Sequence, residues 1–306
     1  MTTRQQKQLQ KEIEQLQLEM EDMTAEEARE LLHQYQKSSR KITALASGII
    51  AGYMVDGQLD ISPAQMAVEM RDFEREIEEE ANKIGALEVG VVGGILAKVY
   101  KDSYYKTAFT LDRGLIDSSG IAINVSFDIL RDEFVQRAIN IPIEGQMFSD
   151  RIWTNKEKLV TRLRNDLLLS MRKGSDTKVL ARRIQRDFDV GWNEAFRLIR
   201  NETARCRSQA QEQIYQENDV VKQLLFDATL DDRTTEICQE LHGNIYDKNE
   251  PHPAIPDETH IQCRSCYVPV VEGWNPTTKR DNLSKEVIDY PKNFEDWKRQ
   301  KGIGDD

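Results

Sequence analysis

Cysteine, proline and glycine are scarce in this chain of 306 residues, at 4, 8 and 16. Four cysteines cannot build the disulfide framework of a small secreted domain, and the opening MTTRQQKQLQKE lacks the apolar core of a signal peptide. A reducing compartment is therefore expected during folding. The apolar runs at 42–55 and 85–99 hold only 14 and 15 residues. A membrane-spanning helix needs about 20, so both are expected to be buried helices. With so few glycines and prolines, little interrupts helix formation.

Charged residues make up 31% of the sequence, and Leu, Glu, Gln, Arg and Ala are abundant. That composition predicts a mainly α protein. The formal net charge of -11 speaks against a uniformly basic nucleic-acid binder. The charge is uneven, however: residues 1–80 carry 9 basic against 17 acidic side chains, and residues 151–207 carry 15 against 7. The second stretch offers a basic face to DNA or an acidic partner, with Arg162, Arg164, Arg172, Lys173, Arg182, Arg183 and Arg186 as its candidates. A solvated helix face is the plainer alternative.

Leu9, Ile13, Leu16 and Met20 recur at helical spacing, which predicts an amphipathic helix over 4–22. Thr24 with Glu27 has the form of a capping box, so a second helix should begin near Ala25 and end before Ser38. Gly48 and Gly52, four apart in the run from Ile42 to Met54, would let another helix approach closely. Ser62, Pro63 and Gln65 announce a long acidic helix to about Lys83. Its EREIEEE run points around the helix and reads as a solvated face. A Gly-rich helix over 85–105 follows, then irregular structure over 112–150 with one helix near 127–138.

Thr154 and Glu157 suggest another capped helix, ended by Lys173 and Gly174. A short helix over 176–188 and a turn at 189–192 should lead to a long helix, WNEAFRLIRNETARCRSQAQEQIYQEN, with Cys206 on its apolar stripe. Glu202 and Arg205 can pair there as part of a fixed polar network. After Asn218 the pattern turns extended: VVKQLLFDAT and YVPVV read as strands around a short helix over 233–241 that Gly243 stops. The tail beyond Trp274 is polar, with a short helix possible over 293–300. The expected organisation is elongated, with a helical acidic region over 1–110, a helical middle region with a basic face over 111–218, a small α+β Cys/His module over 219–273 and a polar tail over 274–306.

Residues 225–271 hold three of the four cysteines and three of the four histidines. His260, Cys263 and Cys266 stand as H-x2-C-x2-C, with Cys238 25 residues before Cys263. Thiolate and imidazole at this spacing suit tetrahedral zinc, which can supply much of the folding energy of a unit with little core. The best ligand set is Cys238, His260, Cys263 and Cys266. His242, four residues after Cys238, is the alternate ligand, and His252 is a weaker one. The competing reading is a set of buried or free thiols without metal. A zinc deaminase would need H-x-E and P-C-x-x-C, but no histidine has Glu two residues on and Gln262 precedes Cys263. A Cys238–His260 thiol hydrolase is conceivable. A zinc site with four filled positions leaves no open coordination, and a non-enzymatic role is expected.

The order of features resembles the phage Mu F-like minor head proteins, or head morphogenesis proteins, of tailed bacteriophages. The resemblance spans roughly residues 100–271. It rests on the Trp153 helix, the GS-started helix at Gly174, RLIRNET, DDRTTEIC, LHG and H-x2-C-R before a strand. Thr235 stands where the family has the first cysteine of D-x-R-T-C-x-x-C, and Cys263-Arg264-Ser265-Cys266 stands for C-R-C. The resemblance implies a low-copy protein of the capsid interior at the portal vertex, present in the host cytoplasm during assembly. It implies portal protein as partner, with scaffold, major capsid protein or phage DNA as further ones, and roles in head assembly and DNA packaging or ejection. A DNA-binding or membrane-active ejection protein, or a metal- or thiol-dependent enzyme carried in the virion, are the alternatives.

Overall fold

The computed structural model describes residues 3–114, 125–143, 145–174, 176–270 and two short strands at 278–280 and 287–289. The possible helix over 293–300 and most of IAINVSF lie outside the described residues. The protein is mainly α, as its composition predicts. Helices α1 (Thr3–Glu27), α2 (Arg29–Gly52), α3 (Pro63–Gly114), α4 (Asp132–Ile139), α5 (Phe148–Lys173) and α6 (Thr177–Glu217) precede a small mixed module with one short helix, α7 (Glu236–Leu241). A two-residue hairpin pair, β1 (Met54–Val55) and β2 (Gln58–Leu59), sits between α2 and α3. The module's strands β3 (Gln223–Asp227), β4 (Ile245–Asp247) and β5 (Cys266–Val270) form an antiparallel sheet in the order β4-β3-β5. Strands β6 (Thr278–Arg280) and β7 (Val287–Asp289) pair with each other.

The chain divides into two compact units that are interleaved in sequence: 25–94 with 140–199, and 1–24 with 95–139 and 200–306. In the first unit, Leu31, Ile42 and Ile50 of α2, Phe73, Ile77 and Ile84 of α3, Leu159, Leu163 and Leu167 of α5, and Leu180 and Ile184 of α6 are buried at helical spacing. In the second, Ile13, Leu16 and Met20 of α1, Val99 and Tyr104 of α3, and Cys206, Ala210 and Ile214 of α6 do the same.

The helices are longer than the sequence signals suggested. Thr24 does not cap a new helix: its hydroxyl donates to the Met20 carbonyl at 2.7 Å and α1 continues to Glu27. Ser38 does not end α2 either, because its buried hydroxyl donates to Glu80 Oε2 at 2.7 Å instead of competing for the backbone. Glu80 itself departs from the solvated face expected of EREIEEE. It is buried and also accepts from Lys41 and Lys83 at 2.8 and 2.9 Å.

The cap at Ser62 forms as expected, with Gln65 N–H donating to Ser62 Oγ and Ser62 N–H to Gln65 Oε1. From there α3 runs unbroken for 52 residues. Gly85 is a close-approach residue inside it, since a Cβ there would lie 2.5 Å from the Trp153 ring. Gly191 likewise faces Tyr35 at 3.2 Å within α6, so the expected turn at 189–192 is helix. Gly48 and Gly52, by contrast, meet no other described element: a Cβ at either would have only its own helix within 4 Å. The α5 start lies upstream of Thr154, where Asp150 accepts the Met147 N–H at 2.9 Å. Its end is the expected one: Gly174 adopts a left-handed φ of 62° and donates to the Ser170 carbonyl.

A buried polar group crosses the first unit. Tyr35 of α2 donates to Glu88 of α3 at 2.9 Å, Lys156 of α5 pairs with Glu88 at 2.6 Å, and Lys156 also donates to the Tyr35 hydroxyl. Glu88 is fully buried and Lys156 is 3% exposed. Burial pushes the Glu88 carboxyl up and the Lys156 amine down, each against the pull of the other's charge.

Candidate metal centre

Leu224, Leu225 and Phe226 make β3 an apolar strand buried along most of its length, and it takes the sheet's central place. Its pairing with β5 sets Leu225 opposite Val268 and Asp227 opposite Cys266. The chain then turns through Asp231, whose carboxylate accepts the Arg233 N–H at 3.0 Å, and enters α7, which carries Cys238. Gly243, at φ 84°, ends that helix and returns the chain to β4.

A second turn presents His260 and Cys263. The Cys263 N–H donates to the His260 carbonyl at 3.1 Å, and Gln262 between them has a φ of 62°. That unusual backbone is held by Gln262 N–H donating to Asn201 Oδ1 of α6 at 3.2 Å. Arg207 of α6 donates to the Ser265 carbonyl at 3.3 Å. Arg264 forms a two-pronged pair with Asp231, 2.6 Å on each oxygen, and so fixes the second turn against the first. Burial favours the neutral Asp231 carboxyl, but the Arg264 and Arg233 contacts outweigh it and hold the group below the usual carboxylate range.

This framework brings Cys238, His260 and Cys263 together, with one donor atom of each within 4.8 Å of the others. The two sulfurs lie 3.6 Å apart and both cysteines are free. Ser265 Oγ donates to the Cys238 sulfur at 3.3 Å. The hydrogen bond from Cys238 lowers Cys263 to about 3 despite its burial, with His260 adding to the effect. The same shared hydrogen bond pushes Cys238 up, and the Cys263 sulfur raises His260. Two thiols and an imidazole brought together in this way are a donor set that a metal cation can displace protons from.

Cys266, the fourth residue of the expected set, lies outside this group, buried on β5. The alternate His242 is also elsewhere: its Nδ1 accepts the Ala228 N–H at 3.1 Å. His252 places Nε2 at 3.2 Å from Glu212 and packs on the Tyr267 ring. Cys206 is a core residue whose thiol burial pushes up to about 12. The expected Glu202–Arg205 pair forms at 2.9 Å, and Arg205 also donates to the carbonyls of Ala138 and Ile139, closing the end of α4.

Among the arginines of the basic face, Arg162 pairs with Glu194, Arg164 with Glu74, and Arg186 lies near Asp166 and Asp187. One buried nitrogen of Arg183 has no hydrogen-bond partner among the described residues. Arg172, Lys173 and Arg182 are exposed. No described helix is long and apolar enough to cross a membrane.

Sequence reasoning missed the supports Asn201 and Arg207. RLIRNET and DDRTTEIC were recognisable as motifs, but only the fold shows that Asn201 and Asp231 hold the two sides of one turn.

The NAD(+)--arginine ADP-ribosyltransferase EFV of Enterococcus faecalis (strain ATCC 700802 / V583) is 25% identical over 222 residues, covering 67% of this chain. The chain spans 44% of that relative's length. No solved structure matches. Over residues 161–268, from α5 through the Cys/His turn to β5, the chain matches the family described as Phage Mu protein F like protein, in agreement with the resemblance read from its motifs.

Proposed function

We propose that the chain is a minor head protein of a tailed bacteriophage, acting by binding within the virion and not by catalysis. The observation that carries the reading is the family match over 161–268, whose span contains Asn201, Arg207, Asp231 and Arg264, the residues that build the Cys/His turn. In this reading the protein docks on the portal or the procapsid interior during head assembly, with roles in DNA packaging or ejection.

Zinc is the proposed ion for the Cys/His turn. Zn–S bonds of about 2.3 Å in a tetrahedron put two sulfurs roughly 3.8 Å apart, close to the 3.6 Å between Cys238 and Cys263. Such an ion would cross-link α7 to the 260–263 turn. His260, Cys238 and Cys263 would hold it, while Arg264 and Asp231 fix the turn that orients them.

Co-sedimentation of the purified chain with portal rings, and its presence in procapsids, are the expected results. Exclusion from both would overturn the docking. The curated relative's name adds a second assay: incubation of this chain with NAD+ and arginine should release no nicotinamide. Turnover there would refute the non-catalytic reading.

A further inference from the structure

A cavity of about 620 Å³ opens between α2 and α6 within the unit formed by 25–94 and 140–199. Its α2 wall runs from Leu32 to Ala44 and its α6 wall from Ala181 to Trp192, each contributing side chains every three or four residues. At 1.5 Å per residue these walls are about 17–18 Å long. A trough of three turns between two helices matches the length of a third short helix laid along it.

The chemistry of the walls narrows the occupant. Tyr35 and Phe188, both nearly buried, and the half-exposed Trp192 line the trough, and Tyr35 is held by Glu88 and Lys156. Trp192 is further fixed by stacking on Phe196 at 5.4 Å. Two guanidinium groups, Arg40 and Arg182, come from opposite walls, against one carboxylate, Asp189. Each uses Nε on a carbonyl of its own helix, Gln36 for Arg40 and Lys178 for Arg182. Neither has a carboxylate within ion-pair distance among the described residues, whereas Arg162, Arg164 and Arg186 on α5 and α6 do.

We infer that this trough is a docking groove for an amphipathic helix of a partner protein, about three turns long, with an apolar stripe and acidic flanks. Trp192 and the apolar wall residues Leu32, Ala44 and Ala181 take the apolar stripe, and Arg40 and Arg182 take a carboxylate on either side. The inference does not depend on the head-assembly reading, because the groove can be probed with a defined peptide.

The test uses the full chain and a 14-residue helical peptide with Leu at every third or fourth position and Glu on both flanks. A second peptide carries Lys in place of Glu. Binding is read by fluorescence anisotropy, and contact with the trough by tryptophan emission that is lost in Trp192→Phe. The Glu peptide should bind, weaken at least tenfold in R40E/R182E, and weaken with added salt. The Lys peptide should not bind the wild-type chain. Both arginines are exposed, so circular dichroism should confirm that the double variant keeps its fold. Equal binding of the two peptides, no binding of either, or no loss in R40E/R182E overturns the inference. So does displacement of the Glu peptide by AMP, which would make the trough a nucleotide site.

Discussion

Replacing Lys156 with methionine should destabilise the unit formed by 25–94 and 140–199 far more than a surface substitution would. The lysine is 3% exposed and its partner Glu88 fully buried, 2.6 Å away. Removing the amine leaves a buried carboxyl with the Tyr35 hydroxyl as its one donor among the described residues, where the other Glu88 oxygen already has no hydrogen-bond partner. Breaking a buried pair in this way costs about 3–5 kcal/mol. The unit holds 70 plus 60 residues. For that size each kcal/mol moves a melting midpoint by about 3–5 °C, so a loss of about 10–20 °C is expected.

The double variant Lys156→Met with Glu88→Leu should recover most of that loss. In the native state burial drives both groups towards neutrality, Glu88 upward and Lys156 downward. The pair therefore does not repay its own desolvation, and apolar replacements of similar volume remove that penalty. Calorimetry and urea titration of the wild type, both single variants and the double variant close the cycle. Losses under about 1 kcal/mol in the singles, or a double variant as unstable as their sum, would refute the argument.

Three further outcomes are expected. Burial alone would raise the Glu80 carboxyl, but Lys41, Ser38 and Lys83 bring it down to about 2. Its contribution is therefore present above the unfolded value near 4.5 and is lost as pH falls towards 2. Glu80→Gln should flatten that part of the acid limb, and an unchanged limb would discount the network. Gly85→Ala puts a methyl 2.5 Å from the Trp153 ring, so about 1–3 kcal/mol of stability should be lost, and Trp153→Leu should relieve it in the same denaturation assay. Metal analysis should find about one zinc per chain. Cys238→Ser or Cys263→Ser should lose it, while Cys266→Ser, outside the cluster, retains it. Loss in all three would place Cys266 among the ligands.

The helical character, the strands β3 and β5, the Gly174 stop and the pairing of Glu202 with Arg205 were legible because each depends on residues close in sequence. Helix lengths were not. Thr24, Ser38 and Gly191 carry local signals for ending or turning a helix, yet each is used differently. Thr24 bonds back within α1, Ser38 reaches Glu80, and Gly191 admits the Tyr35 ring. The first is a choice between two local bonds, whereas the other two depend on residues about 40 and 150 positions away, which local patterns do not register. At the Cys/His turn, spacing grouped Cys238, His260, Cys263 and Cys266, and the fold gathers the first three. The backbone route of β5 then carries Cys266 into the sheet opposite Asp227, a matter of register and not of interval.

The order β4-β3-β5 also bears on biosynthesis. The central strand is made first, and its partner on one side arrives only with residues 266–270, about forty residues later. Until then Leu224, Leu225 and Phe226 lack half of their pairing, and an unpaired apolar strand invites aggregation or proteolysis. A chain that stops before Cys266 therefore leaves one edge of β3 open, and truncation there should raise aggregation of the module.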